Sequence, residues 1–383
     1  MGWVRVRDLG IRVLPDGAFL VRAPARGIGA RVSVHAVELL AFCSVRRTRE
    51  EVARQYGPAG VKLFDGLAEA GFLVDPHVAE ATPVLFQNFA DVDVHRRMLA
   101  DAPRMSAYAR AIAKVVSPGM AVADAGTGSG VLAGMAAARE PRVVYAIDGS
   151  DMIETAREVL APFGDRVRLV RGDVARVELP EKVDVIVSET FGALALAEDG
   201  LDDVRAFASR NLAAGGRTVP ATVSLWLAPV GDPGLAEAAL GPFRDQHGVD
   251  LSPLRATAMH RSMTTAVTPD QLLAPGACFS RLAFGVTPGR ARGAVDFEVH
   301  GRVVGLCGWF DLDLCEGVRL GTGPGDPLTH WKQQLLPLDP FDADGPVHVE
   351  VELGPAPDDR RGSELRCVLH VEGRTYSTWH RVR

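Results

Sequence analysis

With 383 residues, 47% hydrophobic and 23% charged, the chain can bury two or three domain-sized cores and is neither disordered, fibrous nor a small stapled scaffold. A formal charge of -6 argues against nucleic acid as a partner. Five scattered cysteines (Cys43, Cys278, Cys307, Cys315, Cys367) without a C-x-x-C, a start without an apolar secretory core and the lack of any membrane-length apolar run predict a cytoplasmic protein with reduced thiols and no membrane partner.

Residues 1–78 read as a self-contained unit. Two short apolar runs between Arg12 and Arg22 flank Pro15-Asp16-Gly17, the pattern of a hairpin. Three helical patterns follow. Ser33 caps a segment through Phe42, Thr48 and Glu51 form a capping box ahead of 52–56, and 59–70 places Val61, Phe64 and Leu67 at helical spacing. Gly71-Phe-Leu-Val74 closes the unit as a strand. A hairpin with three short helices is a winged-helix arrangement. Anchored on Asp16-Gly17, Ser33 and Gly71-Phe-Leu-Val74, it resembles the PqqD-like recognition domains of enzymes that tailor ribosomally made peptides. The resemblance implies a leader peptide added as a strand to the sheet edge. A structural cap and a DNA-binding winged helix are the competing readings, the latter weakened by Glu50 and Glu51 among Arg46, Arg47, Arg49 and Arg54.

After a linker at 79–83, residues 84–218 read as a nucleotide-binding domain. Phe86-Gln-Asn-Phe89 and a polar stretch from His95 lead into a helix expected over 106–115. An apolar strand then runs through Asp124 into Gly126-Thr-Gly128-Ser-Gly130 and a helix, a turn whose missing side chains let a ligand lie on backbone N–H groups. Asp148 ends the next apolar run, where an acid can hydrogen-bond a ribose hydroxyl pair. A helix at 152–160, a strand at 167–170, the turn Gly172-Asp173 and a strand at 183–187 complete an alternation that specifies a doubly wound parallel sheet, with its ligand at the carboxyl ends of the strands. The order Gly-x-Gly-x-Gly, rather than Gly-x-Gly-x-x-Gly, favours S-adenosylmethionine (SAM) over a dinucleotide.

Just past the 183–187 strand stands Glu189, with Glu198 nine residues on and Gly192 between them to turn the loop. Two converging carboxylates repel unless a cation sits between them, and planar guanidinium gives the best bidentate fit. In residues 219–383 the pattern changes to strands at 223–227, 279–284, 294–299, 303–310, 347–353 and 365–371, punctuated by Gly and Pro as in a sandwich or barrel. A helical excursion covers 235–255. Farther on stands Asp326-Pro-Leu-Thr329-His330-Trp331.

These separated motifs, in this order, resemble the protein arginine methyltransferase family from about residue 85 to the end. That family joins a SAM-binding sheet, a two-glutamate loop, a Thr-His-Trp loop on a following β-barrel, and a SAM-contacting helix with the pattern seen at His95, Met98, Asp101 and Arg104. The resemblance implies SAM held by Phe86, His95, Met98, Arg104, Asp124, Gly126, Gly128, Gly130 and Asp148. Asp173 takes the adenine-side duty because Ala175 replaces the family's acid. Glu189 and Glu198 would localise the charge of the acceptor, and His330 would pair with Asp101 to stabilise the site or relay a proton. Residues 232–256 resemble the family's dimerisation arm and imply a homodimer. Phe89 and Ala193 stand where the family places tyrosines and Thr190 where it places an aromatic; with Trp331, Phe89 and Ala193 are the expected substrate-side residues of a roomier, less polar pocket. No metal is expected. The expected activity is N-methylation of an arginine or another cationic amine of a peptide, a ribosomally made precursor held by the N-terminal domain. The alternative is a degenerate methyltransferase acting as a peptide-binding or regulatory protein.

Overall fold

The N-terminal residues assemble a core of their own in a computed structural model of the chain, which describes residues 2–6, 9–14, 17–23, 28–74, 92–197, 200–356 and 359–382. Strand β1 (Gly2–Arg5) lies between β5 (Arg47–Thr48) and β6 (Leu73–Val74) in one antiparallel sheet, and β2 (Gly10–Val13), β3 (Phe19–Ala23) and β4 (Ile28–Val32) form an antiparallel meander. β2 and β3 are the expected hairpin, closed by Leu14 N–H on Ala18 O at 2.8 Å and by Gly17 at φ 79. Helix α1 (Val34–Phe42) follows Ser33, whose side chain makes no capping bond. Helix α2 (Arg49–Glu69) opens with the expected capping box between Thr48 and Glu51. The helices expected before and after residue 57 run on as one element, broken locally where Gly57 takes φ 65 ahead of Pro58. Leu39, Leu40, Val52, Phe64 and Phe72 pack in a cluster that shares no residue with the rest of the core. An exposed ion pair from Arg22 to Asp151, 3.7 Å, reaches the next domain.

Helices α3 (Val92–Ala100) and α4 (Ala102–Val115) lead into five parallel strands among the described residues: β7 (Ala121–Ala125), β8 (Val143–Asp148), β9 (Val167–Arg171), β10 (Val183–Ser188) and β11 (Leu212–Val219), in the order β11-β10-β7-β8-β9. Helices α5 (Val131–Ala137), α6 (Met152–Leu160) and α7 (Gly200–Asn211) connect them. Helix α4 starts at Ala102 rather than 106 because the Asp101 carboxylate caps the Arg104 N–H and Pro103 suits a first turn. Ser188 lies beside Ala125, Ala125 beside Ile147 and Asp148 beside Arg171. That register sets four strand ends side by side, with the chain reversing direction across the sheet between β7 and β10, where such sheets bind ligands.

The remaining strands are antiparallel: β12 (Thr222–Val230), β13 (Met263–Thr265), β14 (Ala277–Ala283), β15 (Ala291–Cys315), β16 (Val318–Gly321), β17 (Gln333–Ala356), β18 (Asp359–Val371) and β19 (Arg374–Val382). They form the expected β-barrel, in the order β14-β12-β15-β17-β18-β19 with β13 on β17 and β16 on β15. The strands expected at 294–299 and 303–310 are one: Gly301 at φ 141 and a register shift between Val303 and Gly305 bend β15 without ending it. The excursion expected over 235–255 is two short helices, α8 (Pro233–Leu240), capped by Asp232, and α9 (Ser252–Met259). Phe191 packs on Phe284 and Phe310, and Trp331 on Phe310, so sheet and barrel share one core. The five cysteines are free, and among the described residues no helix is long and apolar enough to cross a membrane.

Candidate active site

The glycine turn takes its shape from what surrounds it. Gly126, Gly128 and Gly130 have φ of 85, 52 and 86, left-handed values that favour glycine. A Cβ at Gly126 would stand 2.6 Å from Thr190 Cγ2, and one at Gly128 would stand 2.8 Å from His95 Cε1. Gly126 and Thr127 donate their N–H groups to Ile147 O at 3.0 and 2.8 Å, and Gly128 donates to Asp148 Oδ2 at 2.8 Å. Asp148 Oδ1 accepts from the N–H and O–H of Ser150 at 2.7 and 2.6 Å. Asp124 sits beneath the turn, where its Oδ2 accepts from Thr127 Oγ1 at 2.6 Å and burial pushes its carboxyl up to about 7. Asp124 and Gly130, expected to bind cofactor, therefore shape the turn without lining the cleft above it.

That cleft encloses about 1170 Å³ counting its open mouth, ample for a nucleoside-sized ligand. His95, Met98 and Arg104 close one side, Gly126, Gly128, Asp148 and Asp173 the floor, and Glu189 and Thr190 the far end. Asp173 Oδ1 accepts the Ala175 N–H at 2.9 Å. Helix α7 adds Asp203 and Val204, to which sequence reasoning gave no role. The helical spacing of Leu201, Val204 and Phe207 was the signal available for placing α7 against the sheet.

At the far end, Glu189 Oε2 forms an ion pair with Arg104 Nη2, the two side chains being 4% and 6% exposed. Arg104 Nη1 donates to Met98 O at 2.9 Å, while its Nε is buried without a hydrogen-bond partner among the described residues. Tyr108, fully buried, donates its O–H to Ser188 O at 3.0 Å and steadies the strand end that presents Glu189. Asp101 does two jobs: its Oδ1 caps Arg104, and its Oδ2 accepts from both the N–H and the Nδ1 of His330 at 2.8 Å. Burial draws this carboxyl upward, but the bonds from His330 and Arg104 outweigh it and hold it below its ordinary range. The pairing expected between Asp101 and His330 is thus present, and it ties the barrel to the helix beneath the cleft.

Two substrate-side expectations fare differently. Trp331 is 7% exposed, donates Nε1–H to Phe191 O at 2.7 Å and packs against Phe310. Its polar tip is already satisfied in the core, and it does not line the cleft. Ala193 lies in a short 3-10 turn ahead of Leu194 and Ala195, at φ 50 and 58, and is also absent from the lining. Phe86, Phe89 and Glu198 fall outside the described residues.

Comparison with known proteins agrees with this geometry. Residues 122–216 match the model of a methyltransferase domain, and 221–372 match that of the arginine methyltransferase oligomerization subdomain. Protein arginine N-methyltransferase 6 of Xenopus tropicalis is 31% identical over 308 residues, covering 74% of this chain and 90% of that protein. Protein arginine N-methyltransferase 1 of Dictyostelium discoideum is 27% identical over 309 residues, covering 74% and 87%. Among solved structures, the Trypanosoma brucei PRMT1 enzyme-prozyme heterotetrameric complex with AdoHcy superposes with a TM-score of 0.71 at 24% identity, over 77% of this chain and 99% of that one, a likeness of fold.

Proposed function

The chain belongs to the protein arginine methyltransferase family, and from that premise we propose that it methylates an arginine of a ribosomally made precursor peptide held by its N-terminal domain. It is a SAM-dependent methyltransferase. The observation that carries the reading is Glu189, buried at the end of β10 and ion-paired with Arg104 where the cleft ends. The residues present fit SAM. The turn has no room for a Cβ beside His95 or Thr190, Asp148 at the end of β8 would take a ribose hydroxyl pair, and Arg104 Nε, without a hydrogen-bond partner among the described residues, is a donor suited to a carboxylate. His95, Met98 and Phe86 would close over the cofactor, with Asp173 toward its adenine.

When bound, SAM supplies a methyl group already activated by its positive sulfur. The chain's own work is to align the acceptor nitrogen and neutralise charge. Guanidinium stays protonated in water, so Glu189 Oε1, which has no partner among the described residues, together with Glu198, would localise that charge and free one nitrogen's lone pair. Arg104 holds Glu189 in place for this. His330, fixed through Nδ1 by Asp101, has Nε2 left to take up and release a proton. The edge strands of the β2-β3-β4 meander support peptide addition on the N-terminal domain, and the 232–256 arm with its oligomerization-subdomain match supports a homodimer.

The test is incubation of the full chain with SAM and short arginine-containing peptides, any precursor peptide encoded beside its gene among them. Mass spectrometry should find steps of about 14 Da per methyl on arginine. Glu189→Gln should abolish them while leaving SAM bound. Methylation that survives this change would refute the two-carboxylate mechanism, and failure to bind labelled SAM would favour the degenerate alternative.

A further inference from the structure

The barrel's outer face carries a second concavity, about 770 Å³ counting its open space, lined by Arg290, Arg292 and Arg366 with Glu352 and Glu364. Strand register places Arg292, Glu352 and Arg366 in one row across β15, β17 and β18. Arg292 reaches Glu352 at 3.0 Å. Glu364, its side chain 9% exposed, is shared between Arg366 Nε at 2.7 Å and Arg381 at 3.3 Å. The guanidinium of Arg290 makes no hydrogen bond or ion pair among the described residues. Among the described residues three guanidiniums thus line the concavity with two carboxylates, on a chain whose net charge is -6. A concave excess of one charge concentrates ligands of the other.

The position of this patch ties it to the site. Ser363, next to Glu364, donates its O–H to Leu196 O at 2.9 Å, in the loop that runs on to Glu198. Gly289, next to Arg290, lies where a Cβ would stand 2.9 Å from Asp202 Oδ2, on the helix whose next two residues line the cofactor cleft. The loop begins at Glu189 and the helix carries Asp203 and Val204, all in the cleft lining, so the patch packs on two elements that also build the cleft.

We infer that this concavity is a substrate subsite for an aspartate or glutamate side chain flanking the methylated arginine. The inference rests on the reading that the acceptor is an arginine within a peptide. Arg292 and Arg366 already have partners that hold them in the row, and Arg290 supplies the uncommitted fork for a bidentate carboxylate.

The experiment uses the full chain and short Gly/Ser peptides with a central arginine flanked by Asp, Asn or Lys, together with a twin set in which norleucine replaces the arginine. Fluorescence anisotropy should show the Asp peptides binding about tenfold tighter than the Asn peptides in both sets, with Lys weakest. Arg290→Gln, which breaks no ion pair among the described residues, should erase that preference, raising KM for the Asp peptide while leaving kcat alone; Arg290→Glu should turn it toward Lys. Equal binding of Asp and Asn peptides in both sets overturns the subsite. A preference for Asp in the norleucine set, with no methylation of any arginine peptide, would leave the subsite standing and refute the arginine reading instead.

Discussion

Replacing Arg104 by methionine keeps a side chain of similar reach and removes its charge. Arg104 and Glu189 are 6% and 4% exposed, so the solvent screening that makes exposed ion pairs nearly worthless does not operate here. The change strips Glu189 Oε2 of its cation and Met98 O of a donor. Stranding a buried charge costs about 3–5 kcal/mol. The lower end, about 3 kcal/mol, applies here because the cleft brings water to Glu189, and the lost bond to Met98 O adds about 1 kcal/mol. At about 2–4 °C per kcal/mol for a domain of this size, the Tm should fall by about 8–16 °C. Glu189→Gln alone strands Arg104 and should cost nearly as much. The double variant removes both charges and should recover at least half of the summed loss. Thermal and urea unfolding of the four proteins form a double-mutant cycle. Single variants within about 1 kcal/mol of the parent, or a double equal to the sum of the singles, would refute the buried pair as the fastening of Glu189.

Other consequences follow from the same geometry. The Asp124 carboxyl holds its proton up to about pH 7 when folded and to about 4 when unfolded, so its stabilising contribution is full below about pH 4 and lost as pH rises through about 7. Asp124→Asn should flatten that part of a stability–pH curve, and an unchanged slope would count against the raised value. Gly128→Ala puts a side chain at φ 52, a strain of about 1–2 kcal/mol, and a methyl 2.8 Å from His95 Cε1. Calorimetry should show SAM affinity falling at least about tenfold, and an unaltered Kd would remove the turn from the cofactor site. Gly293→Ala sets a Cβ 1.8 Å from Phe279 O, a backbone atom that cannot swing aside, and should destabilise the barrel by about 3 kcal/mol or more. Wild-type unfolding in urea would contradict that contact.

Much of the fold is local and therefore legible in the chain. The alternation of apolar runs with helical spacing specifies the parallel sheet, since strands buried on both faces leave continuous apolar stretches such as Val143–Asp148. The capping box at Thr48 and Glu51 and the glycines at 126, 128 and 130 are read from residues a few positions apart. The barrel was less transparent. Sheet strands bend through glycine without ending, so β15 looks like two elements in a linear scan.

The site divides along the same line. Its ingredients, a glycine turn followed by Asp148 and a carboxylate just past an apolar strand, are properties of the sequence by itself, because each depends on spacing within one strand–turn unit. Their relations belong to the tertiary structure. Arg104 reaches Glu189 across 85 residues, and Asp101 meets His330 across 229. Only the folded chain decides that Arg104 fastens Glu189, that Asp124 serves the turn from below and that Trp331 is committed to the core. A side chain's partner is set by which strand ends and loops the packing brings within about 3 Å, and no periodicity along the chain records that distance.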